Sequence, residues 1–213
     1  MRGYYAILDA TPDLLTGDGG ALEARANKLL AAAPCCLQLR AKSASARAIE
    51  AGARRLLPLC RAARVPFCVN DRLDVALAVG ADVVHLGQDD LPLADAQRVR
   101  ASAGRPDLTI GFSTHNLAQA RAAAAAGADY IGFGPVFGTR SKANPDPTVG
   151  LEALAEVCRA VAVPVVAIGG ITLDAVPEVV RAGACAAAII SAVATAPDPT
   201  AAGHAVAAAF ARP

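Results

Sequence analysis

Residues 80–87 read GADVVHLG, residues 127–134 read GADYIGFG, and residues 183–191 read GACAAAIIS. Each stretch opens on a glycine that closes an Ala-, Leu- or Arg-rich segment and then turns into a short apolar run. Glycine past a helix end takes up the left-handed turn that satisfies the last carbonyls, so the unit reads as helix, stop, strand. Val-Pro at 65–66 and at 163–164 opens two further runs of the same kind, proline being a natural punctuator before a strand.

Working outward from these units, apolar strand candidates fall at 3–9, 35–40, 66–70, 83–87, 109–113, 130–136, 163–169 and 186–191. Between them lie segments of helical period near 19–33, 44–63, 71–79, 93–103, 116–126, 150–161, 174–182 and 198–211. Eight βα units in 213 residues predict an α/β protein, a closed (β/α)8 TIM barrel forming a single domain over 1–213. A doubly wound open sheet shares the alternation and is the other architecture left open.

Composition narrows the function classes. Hydrophobic residues make up 54% of the chain, much of it Ala, which suits helices packed closely on a parallel sheet. A net charge of +1 and scattered aromatics give no footprint for nucleic acid or an anionic membrane. The start, MRGYYAILDATPD, lacks the apolar core of a secretory signal, and the run at 122–128 is far short of a membrane span. A soluble, cytoplasmic protein is the expectation; a homo-oligomer stays open. Six cysteines, at 35, 36, 60, 68, 158 and 185, have no C-x2-C or zinc spacing and read as buried reduced thiols.

The polar residues are placed unusually. The second strand ends Gln38-Leu39-Arg40 with Lys42 beyond, the third ends Asn70-Asp71, and the fourth runs into Gly87-Gln88-Asp89-Asp90. The fifth ends Ser113-Thr114-His115, the sixth Gly132-Phe133-Gly134, the seventh Gly169-Gly170 and the eighth Ser191. A parallel barrel brings all these ends to one face, the face that carries active sites in this fold. Arg40, Lys42 and Lys142 supply cations for phosphate, Lys142 from the polar connection 137–149. Asp71 and Asp90 end neighbouring strands, where two carboxylates beside a polyanion suit Mg2+, although Asp71 could equally cap the following helix. Gly169-Gly170 before a helix exposes N–H groups for a second anion. No nucleophile–base–orienter set stands out. His115 is the candidate general base on this face, or an inert loop residue, and His85 reads as a satisfied core histidine.

At these residues the chain resembles the thiamine-phosphate synthase family. The matching segments are QLRAK (38–42), VNDRLDVALAVGADVVHLGQDDLP (69–92), GFSTHN (111–116), GADYIGFGPVFGTRSK (127–142), VPVVAIGGI (163–171) and IISAV (189–193). The resemblance implies a transferase of thiamine biosynthesis that joins hydroxymethylpyrimidine diphosphate to a thiazole phosphate, with Mg2+ as cofactor. It implies that Gln38, Leu39, Arg40, Ala41, Lys42, Asn70, Ser113 and Lys142 hold the pyrimidine diphosphate, with Arg40, Lys42, Ser113 and Lys142 catalytic. It further implies that Asp71 and Asp90 bind the metal, and that Thr139, Arg140, Ser141, Gly170, Ile190 and Ser191 hold the thiazole phosphate. Two departures stand out: Ser141 where the family commonly has Thr, and Ala41 where it often has an acidic residue. Two rivals share the fold, a thiazole tautomerase that would put His115 to work, and an inactive barrel that senses thiamine precursors.

Overall fold

The computed structural model describes residues 1–138 and 147–211. The first half of the chain runs β1 (Gly3–Asp9), α1 (Pro12–Thr16), α2 (Ala21–Leu30), β2 (Cys36–Arg40), α3 (Ala46–Ala63), β3 (Phe67–Asn70), α4 (Leu73–Val79) and β4 (Val83–Leu86). The second half runs α5 (Leu93–Ser102), β5 (Thr109–Thr114), α6 (Leu117–Ala125), β6 (Tyr130–Phe133), α7 (Gly150–Ala160) and β7 (Val165–Ile168). It ends α8 (Val176–Arg181), β8 (Ala186–Ile189), α9 (Ser191–Ala194) and α10 (Pro199–Ala211). The strands pair in order, all parallel, and β8 closes on β1. The fold is the (β/α)8 barrel, and closure of β8 on β1 excludes the open sheet.

Local chemistry explains the elements. Ser45 caps α3 by accepting from the Ala48 amide, and Asn116 caps α6 by accepting from the Gln119 amide. Gly80 follows α4 with φ 71°, the left-handed stop its motif called for, and Gly127 and Gly183 take the same hand. Along each strand, alternate side chains face the helices or the barrel interior. The larger apolar cluster fills the layer between sheet and helices, including Leu37, Leu39, Val69 and Leu86. The smaller one plugs the barrel itself with Tyr5, Cys36, Cys68, Tyr130 and Val166 among others. Fully burying one such Leu or Phe stabilises by roughly 1.5–3 kcal/mol, so these two clusters hold the fold.

Three features differ from the sequence expectation. The first strand has the expected bounds and the fifth runs one residue further, but the other six are shorter, β6 ending at Phe133 because the chain turns at Gly134-Pro135. Two short helices, α1 and α9, were not predicted; at 5 and 4 residues they span too few turns for a periodic signal. Asp71 does not cap α4: the cap position is Arg72, and the Asp71 carboxylate instead pairs with Lys42. All six cysteines are free thiols, three buried and three partly so. Among the described residues, no helix is long and apolar enough to cross a membrane.

Candidate active site

Above the interior plug, the C-terminal strand ends surround a cavity of about 820 Å³. Strand register decides what reaches it. Gln38 and Arg40 point inward from β2, while Leu39 and Ala41 belong to the layer against the helices, so the latter two side chains do not line the cavity. Asn70, Asp71, Asp90, Ser113, Gly170, Ile190 and Ser191 all line it. The candidate residues Thr139, Arg140, Ser141 and Lys142 lie outside the described residues.

One end of the cavity is charged. The Arg40 guanidinium, only 14% exposed, is held by Asp9 at 2.5 Å. Asp9 ends β1 opposite Arg40 in the ladder. The Lys42 ammonium lies 2.8 Å from Asp71 Oδ2. Asp71 adopts φ 64°, a left-handed conformation tolerated by Asp better than by most residues, and its N–H donates to the His85 carbonyl. Asp90 curls back so that its Oδ2 accepts from the Gly87 amide at 2.6 Å. Burial raises the Asp90 carboxyl above its ordinary range; the Gly87 N–H bond opposes this, and the Asp71 carboxylate beside it raises it further. Two oxygen-bearing groups that repel each other at the mouth of a site are the donor set Mg2+ takes alongside substrate phosphates. Among the described residues no group of three His, Cys, Asp or Glu is placed to hold a metal ion.

The other end is built from backbone. Gly169 and Gly170 have φ of 96° and 63°, and both are pressed against the turn after β6. A Cβ on Gly170 would sit 2.3 Å from the Gly138 carbonyl oxygen. Val136 and Phe137 donate their N–H groups to Ile168 and Gly169, zipping this turn to the end of β7. Ser191 does not end a strand as predicted but begins the short helix α9, whose first N–H groups have no intrahelical partners. Such a helix after strand eight is a recurrent phosphate seat in this fold.

The middle of the cavity holds side chains that sequence reasoning left out of the site. His85 is not a core residue: it is half-buried, lines the cavity, and lies 2.8 Å from Ser113 Oγ through Nε2 and 3.0 Å from the Tyr130 hydroxyl through Nδ1. Tyr5 and Tyr130 form the floor. His115, the candidate base, turns Nδ1 onto the Gly134 carbonyl at 2.5 Å, and its backbone N–H donates to Gln119. Asp9 was the missed charged residue. Its signal was present, since YYAILD (4–9) ends in a carboxylate as the other strands end in polar groups.

Fold and cavity together define a (β/α)8 barrel with its candidate active site at the C-terminal strand ends, cations and carboxylates at one end and tightly packed glycine backbone at the other. The comparisons are more specific. The family model for thiamine monophosphate synthase matches residues 4–193, and the chain belongs to that family; it is a transferase of thiamine biosynthesis. It is 53% identical over 174 residues to thiamine-phosphate synthase of Anaeromyxobacter dehalogenans, covering 82% of this chain and 76% of that one. It is 52% identical over 170 residues to the enzyme of that name from Roseiflexus castenholzii, covering 80% and 73%. Thiamine phosphate pyrophosphorylase from Pyrococcus furiosus superposes with a TM-score of 0.82 at 36% identity, covering 98% of this chain and 95% of that one. A 3-hexulose-6-phosphate synthase, at TM-score 0.69 and 20% identity, shares the fold alone.

Proposed function

We propose that the chain is a thiamine-phosphate synthase that couples 4-amino-2-methyl-5-hydroxymethylpyrimidine diphosphate with a thiazole phosphate, releasing pyrophosphate. The observation that carries this reading is the division of one cavity into a cation-and-carboxylate end and a backbone-amide end. One end suits a diphosphate with a metal, the other a monoester.

Arg40 and Lys42, with Lys142 as a third cation, hold the diphosphate and neutralise the charge that grows on pyrophosphate as its C–O bond to the pyrimidine methylene breaks. Removing a single preorganised hydrogen-bond donor from a site of developing charge costs about 3–4 kcal/mol, which sets the scale for such groups. Mg2+, held by Asp71 and Asp90, would add further positive charge against the phosphate oxygens. Gln38, Asn70 and Ser113 orient the aminopyrimidine, whose electron-rich ring stabilises the methylene cation. The Gly170 and Ser191 backbone, with Ile190, Thr139, Arg140 and Ser141, places the thiazole so that its neutral nitrogen attacks the cation. If the thiazole arrives carboxylated, the coupling also loses CO2. The bond made is C–N, the bond broken is C–O, and no side-chain nucleophile takes part.

The test is to give purified protein and Mg2+ either the thiazole phosphate alone or both substrates. Thiamine phosphate with both, and no change with the thiazole alone, supports the synthase. Isomerised thiazole without coupling would assign the tautomerase instead.

A further inference from the structure

A line of hydrogen bonds crosses the barrel between the interior plug and the cavity. Gln38 Nε2 donates to the Tyr5 hydroxyl at 3.0 Å, the Tyr5 and Tyr130 hydroxyls are 3.1 Å apart, the Tyr130 hydroxyl is 3.0 Å from His85 Nδ1, and His85 Nε2 is 2.8 Å from Ser113 Oγ. Five strands, β1, β2, β4, β5 and β6, contribute one group each, and the sequence makes room for them with glycine. A Cβ at Gly111 would lie 2.0 Å from the Tyr130 ring, and one at Gly132 would lie 3.0 Å from the His85 ring.

We propose that Tyr5, Tyr130 and His85 are positioning residues. Their hydrogen bonds run in one direction, hold the imidazole as its Nε2–H tautomer, and leave the Ser113 hydroxyl as a hydrogen-bond donor into the cavity.

The direction follows from counting hydrogens. Cys68 Sγ donates its hydrogen to the Val69 carbonyl, so toward Gln38 the sulfur is an acceptor, which fixes the amide with Nε2 facing both Cys68 and Tyr5. Tyr5 therefore accepts from Gln38. Its single hydrogen goes to the Tyr130 oxygen, a better acceptor than the neighbouring thiols. Tyr130, having accepted, gives its own hydrogen to His85 Nδ1. Both phenols are buried, and burial raises them well above the ordinary phenol range, so each keeps the hydrogen this counting needs. An imidazole that accepts at Nδ1 carries its hydrogen at Nε2 and donates it to Ser113 Oγ. Ser113 is then left with a hydrogen and a free direction into the cavity it lines.

The consequence is a rule of recognition. The ligand atom facing Ser113 must be an acceptor, a ring nitrogen or phosphate oxygen, and an exocyclic amine is disfavoured there. That this atom belongs to the pyrimidine diphosphate rests on the functional reading above.

The direct test is long-range proton–nitrogen spectroscopy of the ligand-free protein labelled with 15N-histidine. The chain has three histidines, so His115→Gln and His204→Gln variants assign His85 by elimination. A His85 ring with a bare Nδ1 and a protonated Nε2 at neutral pH supports the chain. The opposite tautomer, or a doubly protonated ring, overturns it. Tyr130→Phe removes one oxygen and should give mixed His85 tautomers, with KM for the pyrimidine diphosphate up about tenfold and KM for the thiazole phosphate unchanged. Unchanged kinetics and tautomer, or an equal rise in both KM values, would also overturn it. Absence of any coupling activity in the wild-type protein would remove the functional reading, while the spectrum would still decide the direction of the chain.

Discussion

The Lys42 ammonium and the Asp71 carboxylate lie 2.8 Å apart at the rim of the cavity, with the Asp90 carboxylate beside them. The pair is partly exposed, so it is worth little to stability, at most about 1 kcal/mol. Its significance is chemical: under the proposed function, the lysine is the cation already beside Asp71 before the diphosphate arrives. Asp71→Asn, which tolerates the same left-handed backbone, should therefore leave the melting temperature nearly unchanged. It should lower Mg2+-dependent turnover about a hundredfold or more. Steady-state rates across a Mg2+ titration check this, and full activity in the variant would remove Asp71 from the metal site.

Arg40 depends on Asp9 in a different way. The guanidinium is nearly enclosed and its observed partner is the carboxylate that ends β1. Asp9→Asn keeps the shape and removes the charge that orients the fork. The expected result is a KM for the pyrimidine diphosphate raised about five- to tenfold, with KM for the thiazole phosphate little changed. Equal effects on both substrates would place Asp9 outside this role.

The glycine at 170 tests the opposite end. Its φ of 63° and the 2.3 Å approach of a built Cβ to the Gly138 carbonyl mean that Gly170→Ala must push apart the turn after β6 and the end of β7. The left-handed conformation alone costs alanine about 1 kcal/mol. The thiazole phosphate KM should rise more than that of the diphosphate substrate, measured by varying each at saturating levels of the other.

Tyr4 supplies a stability prediction away from the site. Its hydroxyl is buried between β1 and α10 and is the one buried side-chain polar atom without a partner among the described residues; burial pushes the phenol above its ordinary range. Removing an unsatisfied buried hydroxyl should be neutral or stabilising by about 1 kcal/mol. Tyr4→Phe should thus match or exceed the wild-type midpoint in chemical denaturation, and a clear loss would mean the hydroxyl has a partner.

Much of this molecule is legible in its sequence because barrel strands repeat the same physical demand. GADVVHLG and GADYIGFG each announce a helix stop and a buried strand, and the polar residues that end them have no use in a core. That reasoning located Arg40, Asp71, Asp90 and Gly170 on one face, and each now lines the cavity. It failed on His85 for a definite reason. Flanked by Val83, Val84 and Leu86, it looks like a core residue, yet its register directs it into the lumen, where Gly132 leaves room for the ring. Leu39 and Ala41 show the converse, since adjacency to Gln38 and Arg40 in the chain places them on the opposite face of the strand. Helix α9 was invisible because four residues carry no period, and Asp9, although its carboxylate at a strand end was in view, gained meaning only from the arginine across the ladder.

The central claim is that one cavity joins a diphosphate at its charged end to a monophosphate at its backbone-amide end. A phosphorus NMR time course of the purified protein with pyrimidine diphosphate, thiazole phosphate and Mg2+ tests it most directly. The predicted record shows the two diphosphate resonances disappearing as pyrophosphate and a new phosphomonoester, thiamine phosphate, grow in equal amounts. Diphosphate signals that persist unchanged while fresh substrates and Mg2+ are present would contradict it.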